Sequence, residues 1–327
     1  MKIAGYEYQS CFGPYIQQFL REKREAGFIY ESEEWLLKHF DAFCFQKGIS
    51  QPFLSKELVT EWGTLKEKEE TVTCSKRMSI LRRFGFYMIS LGKEAYIPRH
   101  FYKSVKRVVH ILSDDEIVSV FKVVDGYIPS MSYEAFHRLA EEYKVIFRLL
   151  YCCGLRISEV RNLHTDDVDL DHGRLRIMQS KGRKDRMVYL SEDLTELLRE
   201  YASKLSAVFR CQSVWFFPAR NPKQQLSNAT IDKRFRDSWA KTPFAKNCDR
   251  NPTVHCLRHS FVVKRMNLWM EEGVSLKEML PFLSKFLGHT SPEETLYYYH
   301  QVDSAFRIIR SLDKTSAKVI PEVTKDE

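Results

Sequence analysis

A helix start is encoded just before the most aromatic stretch of the chain. Ser291, Pro292 and Glu294 suit the N-cap, first and third positions of a helix, because the cap hydroxyl and the carboxylate satisfy free backbone N–H groups. The predicted helix carries three consecutive tyrosines, 297–299, and His289 lies in the turn before it. A phenol stays protonated until about pH 10, so it becomes a nucleophile only beside a base and concentrated positive charge.

The composition is that of a globular protein and favours a polyanionic partner. A chain of 327 residues, with 44% hydrophobic and 29% charged residues, is long enough for two domains. No segment has the apolar length of a membrane span, and the first residues lack the apolar core of a signal peptide, so we expect a cytoplasmic protein. The net charge of +8 favours nucleic acid over an acidic small substrate.

Apolar residues at helical spacing run through the first hundred residues, so we predict a helical domain over residues 1–110. One long predicted helix has a basic face and ends at Gly92. A basic linker, from about residue 98 to 110, follows it and is suited to lie along phosphates. A face that is merely solvated would look the same. The candidate DNA contacts here are Lys76, Arg77, Arg82, Arg83, Lys103, Lys106 and Arg107.

From residue 111 the pattern changes to mixed helix and strand. Ser113 and Glu116 form a capping box that opens a new helix, and a long apolar helix ends at Gly154. We therefore expect a second domain over residues 111–312 and a flexible tail over 313–327.

Two strands are predicted in this domain, over residues 174–179 and 186–190, and residues 214–217 suit a further short one. The turn between the first two is strongly basic and adds Lys181, Arg183 and Lys184 to the candidate residues. The expected fold class is mainly α with a small antiparallel β-sheet (α+β).

Neither metal pattern in the chain is complete. The acidic loop at 167–171 lacks the glycine and closing glutamate positions of a calcium loop. His255, Cys256 and His259 crowd together, but no second pair stands at zinc-site spacing. The eight cysteines are scattered and suit reduced, mostly buried thiols. We expect no metal and no cofactor.

Five short motifs contain residue types that suit phosphate chemistry. They read GLRISE at 154–159, a lysine in the basic turn, HCLRH at 255–259, LGH at 287–289, and a tyrosine nine residues after that last histidine. Each has an ordinary structural explanation alone: a helix-end ion pair with Glu159, a turn lysine, a packed aromatic. The candidate catalytic residues, in chain order, are Arg156, Lys181, His255, Arg258, His289 and Tyr298.

Together, and in this order, these motifs resemble those of the tyrosine recombinase (phage integrase) family. The resemblance covers residues 111–312 and implies a catalytic domain there, whereas residues 1–110 match only in kind, as a helical core-binding domain. It implies that Tyr298 attacks a DNA phosphodiester, forms a 3′-phosphotyrosyl link and frees a 5′-hydroxyl. It also implies that cationic side chains replace a metal ion, so that neither metal nor ATP is needed.

The resemblance assigns a role to each side chain. The two arginines stabilise charge that grows on the phosphate, for which rigid guanidinium forks are well suited. Lys181 is placed to protonate the leaving 5′-oxygen, and His255 is the candidate base for the phenol. His289 is expected to donate a hydrogen bond to the phosphate. Glu159 is expected to orient the first arginine rather than react.

The expected partner is double-stranded DNA with specific recombination sites, bound by a tetramer whose C-terminal segments exchange between protomers. Packing of that segment on its own domain is the alternative. The expected role is that of a mobile-element integrase in the prokaryotic nucleoid, and chromosome resolution is a second role. Two other functions stay open: a type IB topoisomerase-like DNA relaxing enzyme, and a DNA-binding regulator with an inactive site.

Two local features complete the expectations. The spacing from His289 favours Tyr298 as nucleophile, and on a helix its two neighbouring tyrosines point about 100° to either side. Pro281 stands in the middle of segment 275–286, where its missing N–H would interrupt a helix, so we predict two short helices there.

Overall fold

The computed structural model describes residues 6–67, 69–99, 109–178, 185–289 and 291–299, with the backbone alone described at Tyr298 and Tyr299. The chain divides into two compact units, Met1–Arg107 and Val108–Glu327; the sequence placed this boundary after residue 110. The predicted tail and C-terminal exchange segment lie outside the described residues. So do the candidate residues Lys103, Lys106, Arg107, Lys181, Arg183 and Lys184.

The described part of the first unit is helical: α1 Gly13–Glu25, α2 Glu31–Gln46, α3 Lys56–Gly63 and α4 Thr71–Ser90. Its core is rich in phenylalanine, and Phe84 on α4 meets Phe12 and Phe19 edge to face. The buried carboxylate of Asp41 accepts hydrogen bonds from the hydroxyls of Tyr6 and Ser10, which ties the N-terminal segment to α2.

The described part of the second unit combines eight α-helices with a small sheet. The helices are α5 Asp114–Asp125, α6 Glu134–Cys152, α7 Ile157–Arg161, α8 Glu192–Ala207, α9 Asn228–Trp239, α10 His255–Glu271, α11 Leu276–Leu287 and α12 Pro292–Tyr299, with 3-10 turns at Thr165–Asp167 and Pro243–Asn247. The long α6 packs against α5, α8 and α10 at the centre of the main core. The capping box of Ser113 and Glu116 is present at the start of α5, as predicted.

Three antiparallel strands form the sheet in the order β1 Val168–Asp169, β2 Arg174–Ile177 and β3 Arg186–Tyr189. Leu175 pairs with Val188, and both side chains face the core. The mainly α fold with a small antiparallel sheet is therefore confirmed. The prediction of a strand at 214–217 is wrong, because only a single bridge, between Trp215 and His164, forms there.

Pro281 lies inside one continuous helix, α11, so the prediction of two short helices is also wrong. Leu280, Leu283 and Leu287 form one cluster with Met266 of α10. Burial of a leucine side chain contributes about 1.5–3 kcal/mol, so three of them outweigh the roughly 3 kcal/mol that a helix-interior proline costs. No helix in the described residues has the length and apolar character needed to cross a membrane.

Candidate active site

The site is organised around the C-terminal end of α11. Gly288 ends this helix with a left-handed backbone, at a φ of 65°, and the amide of His289 donates to the Ser284 carbonyl. The last carbonyls of a helix have no intrahelical donors and carry partial negative charge. Three guanidiniums donate to the carbonyls of residues 286–288, so this helix end positions cations.

Arg156 precedes the first turn of α7, and Glu159 lies within that turn. The Glu159 carboxylate accepts from the backbone N–H of Arg156 at 2.9 Å and from its Nη1 at 2.8 Å. The same guanidinium donates to the carbonyls of Leu287, at 3.4 Å, and Gly288, at 3.3 Å. The side chain is therefore held between a carboxylate and a helix end.

Arg186, the first residue of β3, is absent from the site residues that the sequence predicts. Its Nη1 and Nη2 donate to the two oxygens of Glu159 at 3.0 and 2.9 Å, and its Nε donates to the Phe286 carbonyl at 2.7 Å. Burial alone would raise the pKa of Glu159, but the hydrogen bonds and charges of Arg186, followed by those of Arg156, lower it to about 2. The network therefore holds an ionised, buried carboxylate between two guanidiniums.

Arg258, on α10, is buried, with 1% of its surface exposed. Its guanidinium donates to the Gly154 carbonyl, to the Leu287 carbonyl at 2.9 Å, and to His289 Nε2 at 2.9 Å. Gly154 has a positive φ of 57°, and a Cβ added there would lie 2.6 Å from Phe261 Cδ1. Glycine is therefore required where the GLRISE segment brings its carbonyl to Arg258. Arg258 and Arg156 both donate to the Leu287 carbonyl, so the two predicted arginines meet.

His289 is also buried in this network. Its Nδ1 lies 2.7 Å from the hydroxyl of Thr295 on α12, and that hydroxyl lies 2.7 Å from the hydroxyl of Ser284. Burial, followed by the charges of Arg258 and Arg156, lowers the pKa of His289 to about 4. The imidazole is therefore neutral at pH 7.

His255 begins α10, one turn before Arg258, and solvent reaches much of the residue. Its ring lies edge to face with that of His259, with 4.4 Å between centroids. Partial enclosure of the ring, then the charges of Arg258 and Arg156, lower the pKa of His255. A neutral imidazole at pH 7 has the protonation state that a general base needs.

The helix that bears Tyr298 packs against α10 and α11 within its own unit. It begins at Pro292, as predicted, and its residue Thr295 is fully buried. The structure therefore brings together Arg156, Glu159, Arg258, His289 and the backbone of the Tyr298 helix. The Tyr298 side chain and Lys181 lie outside the described residues.

The basic residues of α4 do not share one face. Arg77 is 3% exposed and pairs with Glu69 through two bonds of 2.7 Å, while its guanidinium lies 5.0 Å from the Trp62 ring centroid. The prediction that Arg77 is a surface contact for DNA is therefore wrong, and its buried side chain instead stabilises the first unit. Lys76 and Arg83 are exposed, and Arg82 is half-buried.

One signal could have revealed Arg186 in the sequence. Side chains alternate between the faces of a strand, so Arg186 shares a face with Val188, which is buried. A charged residue in register with a core valine requires a buried partner. Thr295 offered no comparable signal, because its contact with His289 depends on how α12 docks. Among the described residues no group of three or more acidic, histidine or cysteine side chains is arranged to hold a metal ion.

A model of the phage integrase family matches residues 103–305, more than half of the chain. The chain belongs to the phage integrase family. It is a tyrosine recombinase, an enzyme of the class that cleaves and rejoins DNA. A tyrosine recombinase XerC of Chlorobaculum tepidum is 31% identical over 246 residues, covering 69% of this chain and 68% of that one.

Solved structures show the same fold. XerH site-specific recombinase bound to its palindromic difH substrate, in a post-cleavage complex, has a TM-score of 0.62 at 18% identity and covers 91% of this chain and 83% of that one. The Tn1549 transposon integrase in complex with transposon right end DNA has a TM-score of 0.59 at 15% identity and covers 93% of this chain and 99% of that one. The described architecture is thus that of the tyrosine recombinases.

Proposed function

We propose that this tyrosine recombinase is site-specific and acts on double-stranded DNA through a 3′-phosphotyrosyl intermediate on Tyr298. The observation that carries the proposal is the meeting of Arg156 and Arg258 at the Leu287 carbonyl. In the reaction, the phenol oxygen bonds to phosphorus as the bond to the 5′-oxygen breaks. Two rigid guanidiniums are suited to the charge that develops on the remaining phosphate oxygens.

The partners of these arginines favour such a role. Arg258 donates to two carbonyls and a neutral imidazole, acceptors that fix its geometry and carry no full negative charge. Arg156 shares the single carboxylate of Glu159 with Arg186. Among the described contacts of the three guanidiniums, Glu159 provides the carboxylate and the other acceptors are carbonyls and an imidazole, so positive charge is concentrated where a phosphodiester requires it.

The proton transfers are assigned by residue chemistry. His255 is neutral at pH 7 and lies on α10, against which the Tyr298 helix packs, so we propose it as the base that accepts the phenol proton. Lys181 is proposed as the acid that protonates the leaving 5′-oxygen. His289 is proposed to support Arg258, to which its Nε2 is committed, in place of the phosphate donation expected from the sequence.

We also propose DNA contacts outside the reaction centre. Lys76, Arg82 and Arg83 on α4 are accessible to a phosphate backbone, and the net charge of +8 supports long-range attraction. Contacts with DNA also remain predicted for Arg183 and Lys184 of the basic turn and for the lysines and arginine of the linker.

The test is formation of a covalent adduct. A pool of nicked duplexes with randomised sequence is incubated with the protein, and the DNA that stays attached after denaturation is sequenced. The wild-type protein should yield an adduct, Tyr298→Phe should yield none while binding the recovered DNA with unchanged affinity, and Tyr297→Phe and Tyr299→Phe should retain it. An adduct that persists in Tyr298→Phe and disappears in either neighbour would reassign the nucleophile.

The same material tests the broader assignment. Efficient relaxation of a supercoiled plasmid that lacks the recovered sequence would favour a DNA relaxing enzyme, and the absence of any adduct would favour a DNA-binding regulator. We propose that four protomers assemble on two DNA recombination sites and that the enzyme is the integrase of a mobile element. The mass of the trapped complex tests the first, and the genes that flank the recovered site in the source genome test the second.

A further inference from the structure

A chain of hydrogen bonds links the nucleophile helix to Arg258. Thr295 lies on α12, and its side chain is fully buried. The chain runs from Ser284 Oγ to Thr295 Oγ1, from Thr295 Oγ1 to His289 Nδ1, and from His289 Nε2 to Arg258 Nη2, with distances of 2.7, 2.7 and 2.9 Å. All three are within the range of well-formed hydrogen bonds.

Arg258, which can only donate, fixes the direction of the two hydrogen bonds of His289. A guanidinium only donates, so His289 Nε2 must accept from Arg258 and carry no proton. A neutral imidazole has one N–H, which must then be on Nδ1 and point to the Thr295 oxygen. That hydroxyl therefore accepts from His289 Nδ1, and in its bond with Ser284 either hydroxyl can be the donor. The lowered pKa of His289 agrees with the neutral form.

Thr295 is three residues before Tyr298, which on a helix is less than one turn and about 4.5 Å along the axis. The Thr295 hydroxyl therefore connects two parts of the site. One is the segment of α12 that carries Tyr298, and the other is His289, which accepts a hydrogen bond from Arg258. If α12 were undocked, His289 would lose the Thr295 hydroxyl as the acceptor for its Nδ1 proton. Its other tautomer would place an N–H against an Arg258 N–H, and two donors repel each other.

We propose that Thr295 is a positioning residue that couples docking of the Tyr298 helix to the orientation of Arg258 through the tautomer of His289. This rests on the proposed function of both Tyr298 and Arg258. The positive site is thereby complete only when the nucleophile is in place, so phosphate activation without an attacking phenol is disfavoured.

Two substitutions separate the hydroxyl of Thr295 from its packing. Thr295→Val keeps the β-branched shape and removes the hydroxyl, whereas Thr295→Ser keeps the hydroxyl and removes a methyl group. We expect the single-turnover rate of adduct formation, on the nicked duplex recovered with wild-type protein, to fall about 10–100-fold in the valine variant. The serine variant should stay within about 3-fold of wild type, and both should bind the duplex with unchanged affinity. Thr60→Val, at an exposed position of α3, serves as the matched control.

A spectroscopic readout accompanies the rates. In protein labelled with ¹⁵N-histidine, the side-chain spectrum should show His289 protonated at Nδ1 in the wild type and serine variant, and altered in the valine variant. His289→Gln identifies the signal. A valine variant that cleaves like wild type, or a serine variant as slow as valine, would assign Thr295 to packing and overturn the proposal. So would a wild-type His289 protonated at Nε2. Absence of a wild-type adduct would instead refute the proposed function, and the spectrum would still test the hydrogen-bond chain.

Discussion

Replacing Arg186 by methionine should strongly destabilise the second unit. Methionine keeps a long, unbranched side chain but removes two charge-assisted bonds, of 3.0 and 2.9 Å, to Glu159. The Glu159 side chain is 3% exposed, so water cannot replace them. Removing one partner of a buried ion pair costs about 3–5 kcal/mol. Because Arg156 still pairs with Glu159, we expect a loss near the lower end, about 3 kcal/mol.

The pKa of Glu159 leads to a similar magnitude. It lies at about 2 in the folded protein against an ordinary value of 4.5. At about 1.4 kcal/mol per pH unit, this gap corresponds to roughly 3.5 kcal/mol, to which Arg186 is the largest favourable contributor. A lowered carboxyl pKa stabilises the fold above pH 4.5, and the contribution is lost as the pH falls through about 2. The cost of Arg186→Met should therefore be fully present at pH 7.

Scanning calorimetry at pH 7 measures this loss. For a unit of this size, about 3 kcal/mol lowers the midpoint of unfolding by roughly 6–12 °C, and the transition of the first unit should not move. Glu159→Gln and the double variant complete a thermodynamic cycle, in which we expect a coupling of about 2 kcal/mol between the two residues. A loss below about 1 kcal/mol that adds simply to that of Glu159→Gln would refute the argument.

Two further predictions concern acid stability and the first unit. Burial lowers the pKa of His289 to about 4 and that of His259 to about 3, so the unfolded chain takes up protons first as the pH falls below 6.5. Between pH 7 and 5 we expect urea unfolding to show a loss of about 4 kcal/mol, smaller in His289→Gln, and a pH-independent stability would contradict this. Arg77→Met should destabilise the first unit by about 3 kcal/mol, because it leaves the largely buried carboxylate of Glu69 without its guanidinium partner. Arg83→Ala should change the stability by less than about 0.5 kcal/mol but weaken DNA binding and make it less dependent on salt. Equal effects of the two variants on stability, measured by urea unfolding, would contradict the distinction.

Local chemistry explains why much of the fold was predictable. The starts and ends of helices depend on short-range patterns, so Ser113 and Gly154 are located correctly at helix boundaries. The motif residues are predictable for a different reason: together, and in their order along the chain, they resemble the motifs of a known family. The structure brings Arg156 and Arg258 to a common carbonyl, which their order in the chain alone could not show.

The errors arise where tertiary contacts override local rules. Pro281 should interrupt a helix, yet the leucines around it gain more from packing than the missing hydrogen bond costs. Arg77 lies four residues before Leu81 and seven before Phe84, so it follows the buried stripe of α4, and Glu69 and Trp62 enclose its charge. The charge of a residue therefore does not assign it to the surface face of a helix when a neighbouring segment supplies a buried partner.

The choice of acceptors for the arginines follows from what the site must do. A carboxylate for each guanidinium would hold it firmly but would cancel the charge that a phosphodiester needs. Carbonyls at the end of α11 provide directional acceptors and only partial charge, so Arg258 can be fixed and remain strongly cationic. Glu159 is the carboxylate among the acceptors described, and Arg186 brings a second guanidinium to it. The end of α11 therefore performs, with backbone atoms, the positioning that a set of acidic side chains would perform at the expense of the field.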